Sequence, residues 1–265
     1  MTEATDAGPI TDGTRTILFA HAHPDDETLA SGALIAELAA RGIRIILVTA
    51  TRGERGEVVP GPLSGLVGTD ALAAHREVEL AAACRVLGVA EQHWLGVAPA
   101  ARPGTATRYV DSGMRWIHDG LAGPADDVSP GAFSLAPLDD VAADLAALIG
   151  AVRPDLLVSY DHGGGYGHPD HLRMHEAAHA AARLTGVPFA ELVHDRSALE
   201  ATAEHPTTDE WFALEHRLPQ VASALAAHRS QLTVDGAQLV HSGGQREDIT
   251  TSVGLRLTGP DAQHP

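Results

Sequence analysis

Residues 15–32, RTILFAHAHPDDETLASG, decide the fold of this 265-residue chain. Their apolar run, residues 16–20, has the length and composition of a buried strand. Ala30, Leu34 and Leu38 then recur every four residues with Ile35 beside them, as on one face of a helix. A second apolar run, GIRIILVTA at residues 42–50, is too short and too β-branched for a helix. Strand, helix and strand in this order predict a βαβ unit in a parallel sheet.

The alternation of helix and strand patterns continues along the chain. Further helices are predicted over residues 69–87 and 138–152, and strands at QHWLG (92–96), PDLLVSY (154–160) and PFAEL (188–192). We therefore expect an α/β fold with a Rossmann-like, mostly parallel sheet flanked by helices. In such sheets, ligand sites lie at the C-terminal ends of the strands.

One domain is expected to span residues 1–265, because this length is near the upper range of a single core. Residues 1–14 are predicted to be flexible, and residues 186–265 to form a C-terminal elaboration. This last region holds LPQVASALAAHRSQL (218–232), which has the pattern of an amphipathic helix. The Gly/Pro-rich stretch at residues 101–133 also carries Arg, Tyr, Asp, Met and Trp, so we expect it to cover a site.

Charge and composition exclude several classes of partner. The chain has 18 Lys and Arg against 35 Asp and Glu, a formal charge of −17, which would repel nucleic acid and anionic membranes. It contains no apolar run of about 18 residues, and its N-terminus lacks the features of a signal peptide. A cytoplasmic protein without a membrane or nucleic-acid partner is predicted. The single cysteine, Cys84, lies in an apolar helical pattern and is predicted to be a buried thiol.

A second stretch, LLVSYDHGGGYGHPDHLRMHEAAHA at residues 156–180, repeats the arrangement of the first. Each places His-Pro-Asp just after an apolar run and just before a helical pattern. If the two strands are neighbours, one crevice would collect seven polar side chains: His21, His23, Asp25, Asp26, His168, Asp170 and His171. Imidazoles and carboxylates without a thiolate suit Zn²⁺ or a similar divalent ion with an open position for water.

Proline fits the first turn of a helix, so Pro24 and Pro169 are each predicted to begin one. A helix N-terminus favours carboxylates, which would keep Asp25 and Asp26 ionised. As weak bases, such carboxylates suit a metal-bound water, whose pKa can fall to about 7.

Ordinary structural roles compete with this interpretation. Asp25, Asp26 and Glu27 could be first-turn acids that complement a helix dipole, and an isolated histidine is usually a core or surface residue. The coincidence of two His-Pro-Asp turns favours the metal. His171, His175 and His179 also recur every four residues, but Leu172 stands where an HExxH motif has its base, so chelation by that row is not favoured. His175 and His21 are instead expected beside the site. The glycines before His168 do not form a phosphate loop, and are expected to let Tyr166 move over the site.

The motifs AHPDDE (22–27), GHPDH (167–171) and VTATRGERGEV (48–58) resemble the LmbE-like or PIG-L family of zinc-dependent N-acetylglucosaminyl deacetylases. The resemblance covers residues 15–185, with a fainter echo in ALAAHRSQL (224–232). It implies that one Zn²⁺ is bound by His23, Asp26 and His171, with Asp25 as general base. It also implies that a protonated His168 stabilises the oxyanion and helps the amine leave, that Asp170 orients His168, and that Tyr166 assists.

Within the family, RYVDSGM (108–114) and HGGGYGHPDH (162–171) are most similar to the deacetylase of mycothiol biosynthesis, which acts on N-acetylglucosaminyl-inositol. The resemblance implies that Arg76 and Asp111 contact sugar or inositol hydroxyls. Arg76 could equally be a surface helical residue paired with Glu77 or Glu79. Residues 118–137 match no part of the family pattern, and the 94 residues after the second motif are few for this deacetylase.

The favoured hypothesis is therefore hydrolysis of the N-acetyl amide of an N-acetylglucosaminyl group on a small glycoside, releasing acetate and a free amine. A mycothiol S-conjugate amidase and an antibiotic-pathway aminosugar deacetylase remain open. A non-catalytic sugar-binding protein of the same fold would need neither Asp25 nor His168, and a phosphoesterase would need more basic residues near the motifs. The native metal and the oligomeric state stay open, since such sites also accept Fe²⁺, Co²⁺ or Mn²⁺.

Overall fold

The computed structural model describes residues 10–197 and 209–258. The strands of the central sheet are β1 (Thr16–His21), β2 (Arg44–Thr49), β3 (Glu91–Trp94), β6 (Leu156–Ser159), β7 (Phe189–Val193), β8 (Asp209–Ala213) and β12 (Ser252–Thr258). Their spatial order is β3-β2-β1-β6-β7-β12-β8. The strands from β3 to β7 are parallel, whereas β12 pairs antiparallel with both β7 and β8. The predicted α/β fold with a mostly parallel sheet is confirmed.

Helices cover both faces of this sheet. They are α1 (Asp26–Leu29), α2 (Gly32–Ala40), α3 (Asp70–Leu87), α4 (Leu138–Val152), α5 (Gly164–Gly167), α6 (Pro169–Thr185) and α7 (Leu218–Leu225). Side chains alternate along β1, so Ile17 and Phe19 pack with α2, α3 and α7 on one face. Leu18 and Ala20 pack with α4 and α6 on the other. Two apolar layers therefore enclose the sheet, and Cys84 lies buried in the first of them, as predicted.

The order of the strands reverses at β1, which pairs with β2 on one side and with β6 on the other. A crevice opens at such a point, outside the carboxyl ends of the two strands. The chain leaves β1 after His21 and β6 after Ser159. Both His-Pro-Asp turns therefore begin at the edge of this crevice.

The helix predicted after β1 is two helices rather than one. Its apolar positions Leu34, Ile35 and Leu38 are fully buried on α2, but Ala30 caps α1 and Ser31 separates the two. The Ser31 hydroxyl donates a hydrogen bond to the Glu27 carbonyl, 3.0 Å away. A serine side chain bonded in this way competes with the backbone hydrogen bonds of a helix, which accounts for the break.

Two smaller sheets flank the central one. A hairpin, β4 (Met114–His118) and β5 (Leu121–Pro124), lies within the long stretch at residues 101–133. The strands β9 (Leu232–Asp235), β10 (Gln238–His241) and β11 (Arg246–Asp248) form an antiparallel sheet of three. The helix predicted over residues 218–232 is therefore shorter than expected, because α7 ends at Leu225 and β9 follows.

The C-terminal region is part of the fold and not an addition to it. Strands β7, β8 and β12 supply three of the seven strands of the central sheet, so residues after 185 complete the main core. At the other end, residues 1–9 lie outside the described residues. Within the stretch predicted to be flexible, the Thr11 amide donates to Glu210 Oε2 of β8 at 3.1 Å. Among the helices of residues 10–197 and 209–258, none is both long and apolar enough to cross a membrane.

Candidate active site

The two His-Pro-Asp turns bring three imidazoles together. The ring centroid of His23 lies 4.7 Å from that of His168 and 5.4 Å from that of His171. The rings of His168 and His171 are stacked, with centroids 4.8 Å apart. All three side chains are buried. The predicted cluster therefore forms, and it joins residues that lie about 150 positions apart in the chain.

Asp26 connects the two turns. Its Oδ2 accepts the His23 backbone N–H at 2.8 Å and lies 3.2 Å from His23 Nδ1, while its Oδ1 lies 3.3 Å from His171 Nε2. The Tyr160 hydroxyl also donates to Oδ2, at 2.7 Å. Burial alone would raise the pKa of Asp26, but His171 and His23 outweigh it and hold that pKa well below its usual range. Asp26 is therefore an ionised acceptor, as the sequence predicted.

His171 fits a cation at this place. Its Nδ1 lies 3.2 Å from the Gly164 carbonyl, which can only accept, so Nδ1 carries a proton. In a neutral imidazole the lone pair is then on Nε2, a buried atom without a hydrogen bond that faces Asp26 Oδ1. A lone pair and a carboxylate oxygen repel each other unless a proton or a metal ion lies between them. The donor set is the kind that Zn²⁺ accepts.

His23 lies among carboxylates on both sides of its ring. Its Nε2 is 3.1 Å from Asp170 Oδ2 and 3.6 Å from Asp111 Oδ1. Burial lowers the pKa of His23, but Asp111, Asp170 and Asp26 together raise it well above its usual value. A metal ligand must be neutral, so binding of an ion by His23 would release this proton.

Among residues 10–197 and 209–258, two sets of donor atoms could each hold one ion, because the atoms of each set lie within 4.8 Å of one another. One set is His23, His168 and His171, and the other is His23, Asp111 and Asp170. The predicted set of His23, Asp26 and His171 shares two histidines with the first. It differs in its third ligand, although Asp26 contacts both of those histidines.

Asp25 has an uncommon backbone. Its φ of 110° is one of two positive φ values among the non-glycine residues described. Asp25 is the N-cap of α1, so Pro24 lies before the helix, and the prediction that Pro24 occupies the first turn was wrong. The sequence also predicted that Asp25 is ionised, which holds at neutral pH, although its pKa lies above the usual value and not below it. Burial raises the pKa of Asp25 to about 6. The positive charge of Arg76 lowers this pKa only in part, and the negative charge of Asp26 raises it further.

Arg76 is buried rather than on the surface, with 3% of its area exposed. Its Nη2 lies 3.0 Å from Asp25 Oδ2 and also donates to the Pro24 carbonyl, and its Nη1 donates to the Gly53 carbonyl at 2.8 Å. A Cβ at Gly53 would lie 1.9 Å from Nη1, so the glycine there makes room for the guanidinium. The pairing considered with Glu77 or Glu79 is replaced by a contact with Asp25.

His168 is an ordinary helix cap. It precedes Pro169, which begins α6 as predicted, and its Nδ1 accepts the Asp170 backbone N–H at 3.1 Å. An Nδ1 that accepts carries no proton, so the imidazole is neutral with its proton on Nε2. Burial, followed by the charges of His23 and His171, lowers the pKa of His168 to about 2. The expected protonated imidazolium is therefore corrected to a neutral Nε2–H donor.

The Asp170 carboxylate has a different partner from the one predicted. It accepts the Ser112 backbone N–H at 2.9 Å and the Ser112 hydroxyl, and it faces His23. Only its backbone contacts His168. Asp170 thus ties the 101–133 stretch to the site, which confirms that this stretch covers it.

Asp111 and Tyr166 both lie beside the imidazole cluster. Asp111 is buried, and its oxygens accept the backbone N–H groups of Gly113 at 2.8 Å and Arg55 at 3.1 Å. Tyr166 is 37% exposed, with its ring centroid 5.2 Å from that of His171 and 5.6 Å from that of Trp116. Whether Asp111 or Arg76 contacts a substrate stays a prediction.

The other histidines lie outside the cluster. His21 Nε2 is 3.0 Å from the Ser31 hydroxyl, and His175 Nδ1 is 3.0 Å from the Tyr160 carbonyl. Neither His175 nor His179 belongs to the two sets of donor atoms found among the described residues. The sequence arguments missed Tyr160 and Ser112. Tyr160 could have been found, since it directly follows the strand that ends at the crevice.

Comparison with known proteins shows the family to which the chain belongs. The family model described as PIG-L, GlcNAc-PI de-N-acetylase, matches residues 18–182, and the chain belongs to this family. One relative, the 1D-myo-inositol 2-acetamido-2-deoxy-alpha-D-glucopyranoside deacetylase of Kineococcus radiotolerans, is 49% identical over 63% of this chain and 44% of its own length. Deacetylase 2 of the same description from Catenulispora acidiphila is 35% identical over 94% of this chain and 88% of its own.

The Kineococcus relative and others with the same description are longer proteins, and the chain spans about half of their length. Among solved structures, the zinc-inhibited form of the teicoplanin deacetylase Orf2 is 22% identical. The two structures superpose with a TM-score of 0.56 over 82% of this chain and 84% of the Orf2 chain. At this identity the likeness shows a shared fold.

Proposed function

We propose that the chain hydrolyses the N-acetyl amide of an N-acetylglucosaminyl group on a small glycoside, releasing acetate and a free amine. The first candidate substrate is N-acetylglucosaminyl-inositol, the substrate described for the relatives. The observation that carries the proposal is the buried imidazole cluster at the ends of β1 and β6, with Asp25 beside it. Such a site would hold a cation beside a base and a hydrogen-bond donor.

We propose His23, Asp26 and His171 as the ligands of one divalent ion, Zn²⁺ in the first instance. The contacts of both Asp26 oxygens with the two histidines support this set over the one that contains His168. When bound, the ion would polarise the amide carbonyl and make water more acidic. His168 is then left free to act on the substrate.

The side chains of this chain can carry the proton transfers. Asp25, with a pKa of about 6, is deprotonated at neutral pH yet basic enough to take a proton from water. As the water oxygen bonds to the carbonyl carbon, His168 Nε2–H donates to the developing oxyanion, and one such donor is worth about 3 kcal/mol. The C–N bond then breaks, and the proton held by Asp25 goes to the nitrogen to give the amine.

The remaining residues hold these groups and the sugar. Asp170 fixes His23 and the loop at Ser112, and Asp111 forms the wall beside His23. The faces of Tyr166 and Trp116 at the rim suit the apolar face of a sugar ring. We propose that Arg76 acts through Asp25, because its guanidinium is already occupied there. A net charge of −17 favours a neutral glycoside over a polyanion.

A mass-spectrometric screen tests this function. The protein is incubated with N-acetylglucosaminyl-inositol, a mycothiol S-conjugate and an acylated glycopeptide, with and without a strong chelator. We expect loss of the acetyl group from the first compound, and only without the chelator. Amide cleavage of the S-conjugate would favour the amidase alternative, and loss of acyl from the glycopeptide the antibiotic-pathway alternative. Binding of a sugar without turnover would favour the non-catalytic alternative.

A further inference from the structure

A buried ion pair joins the C-terminal region to the first turn. His228, in the segment between α7 and β9, places its Nε2 2.8 Å from Glu27 Oε1, and neither side chain is exposed. The pair spans 201 positions of sequence. Because a buried carboxylate is costly without partners, Glu27 depends on such donors. The Thr28 hydroxyl is a second one.

The other oxygen of Glu27 acts on Asp25. Glu27 Oε2 accepts the backbone N–H of Asp25 at 2.9 Å. This bond fixes the peptide that precedes Asp25, at the residue whose φ is 110°. A non-glycine residue in such a conformation costs about 1–3 kcal/mol and persists only where surrounding contacts hold it. Arg76 holds the carboxylate of Asp25, and Glu27 holds its backbone.

We propose that His228 is a positioning residue, which holds Asp25 in its reactive orientation through Glu27. Through this contact the C-terminal region supports the site. His228 itself contacts Glu27 and not the imidazole cluster. The catalytic part of this inference rests on the proposed function. The structural part, that His228 maintains the strained backbone of Asp25, does not.

The test compares three variants of the full-length protein. His228→Leu removes the donor, and His228→Gln keeps an N–H at a similar reach. Ser230→Ala is the matched control, because it removes a buried hydrogen bond, 2.6 Å from the Ser230 hydroxyl to Glu79, in the same segment but away from Asp25. The readouts are hydrogen exchange of the Asp25 amide by NMR, bound metal, and kcat and KM for deacetylation.

We expect the Asp25 amide to exchange at least about tenfold faster in His228→Leu than in the wild type or in Ser230→Ala. At equal bound metal, we expect kcat to fall about 10–100-fold with KM within threefold, as for other residues that orient a site. His228→Gln should recover both readouts by at least about threefold. Unchanged amide exchange in His228→Leu overturns the proposal, and so does a kcat equal to that of Ser230→Ala. If the wild type cleaves no amide, the proposed function fails, while the exchange rates still decide the role of His228.

Discussion

The two His-Pro-Asp turns share three residues and differ in almost everything else. In the second, His168 has an extended backbone, Pro169 begins the helix, and α6 continues for 17 residues. In the first, Pro24 precedes the helix, Asp25 has a φ of 110°, and α1 has only four residues. The same motif is therefore a relaxed helix cap in one place and a strained turn in another.

The strain falls on the residue assigned as the base. The second turn needs little support, because the backbone N–H of Asp170 and the imidazole of His168 satisfy each other. The first turn is held by side chains from distant parts of the chain, among them Arg76 and Glu27. Strained backbone of this kind is often found at functional sites.

The largest expected effect comes from the first turn. Asp25→Asn removes the base and should lower kcat about 10²–10⁴-fold, because general bases contribute rate enhancements of that size. Bound metal, measured by elemental analysis, should stay equal to that of the wild type. A variant that keeps metal and at least half of the wild-type rate would contradict the assignment of the base.

The second turn should give the next largest effect. His168→Ala removes the proposed oxyanion donor, and we expect kcat to fall about 10²–10³-fold. The lost helix cap should cost about 1 kcal/mol in the free energy of unfolding. Steady-state kinetics and urea denaturation measure the two effects separately. A rate within threefold of the wild type would mean that His168 does not contact the reacting carbonyl.

Substitutions in the two turns should change the free energy of unfolding in opposite directions. Burial raises the pKa of Asp25 to about 6, so its ionisation at neutral pH destabilises the folded state. This cost grows as pH rises from the usual pKa towards 6, and Asp25→Asn should therefore increase the free energy of unfolding by about 1–3 kcal/mol at pH about 7.

Asp170→Asn should have the opposite effect on stability, a loss of about 1–3 kcal/mol. Its carboxylate accepts both the N–H and the hydroxyl of Ser112, and an amide has fewer acceptors to offer. Urea denaturation of both variants in the presence of a chelator measures the comparison. If both substitutions changed the free energy of unfolding in the same direction, the proposed difference between the two turns would be contradicted.

The pH profile should follow the first turn. Because Asp25 must be deprotonated to act, kcat/KM should rise with pH and level off above its pKa of about 6. Arg76 lowers that pKa, so Arg76→Gln should move the acidic limb to higher pH. Profiles of kcat/KM measured between pH about 4.5 and 8 give the pKa of the acidic limb for the wild type and for Arg76→Gln. A limb that stays in place would show that Arg76 does not control the ionisation of Asp25.

The smallest effect is expected at the rim above the second turn. Trp116 is 54% exposed and lies against Tyr166. Trp116→Ala should raise KM about two- to fivefold with little change in kcat, since only a stacking contact of about 1 kcal/mol is lost. Leu184→Ala, another exposed apolar residue, serves as control. Equal KM values for the two variants would exclude a sugar contact at Trp116.

Local sequence patterns predict the structural features that depend on residues close in sequence, such as strands and helices. Strand and helix periodicity predicted β1, β6 and α4, and the end of each strand predicted which residues meet in the crevice. The protonation of His168 was not predictable, because it depends on which nitrogen accepts the Asp170 N–H. The burial of Arg76 and the contact of His228 with Glu27 were missed for another reason. Both depend on tertiary packing between segments that no sequence periodicity connects.

The main hypothesis is that the two turns form one metal-dependent site for amide hydrolysis. Its most direct test is the release of acetate and free amine from N-acetylglucosaminyl-inositol by the wild-type protein, before chelation, after it, and after one equivalent of Zn²⁺ is restored. We predict equal amounts of the two products, none after chelation, and recovery with the metal. Hydrolysis that continues at an undiminished rate without bound metal would contradict it.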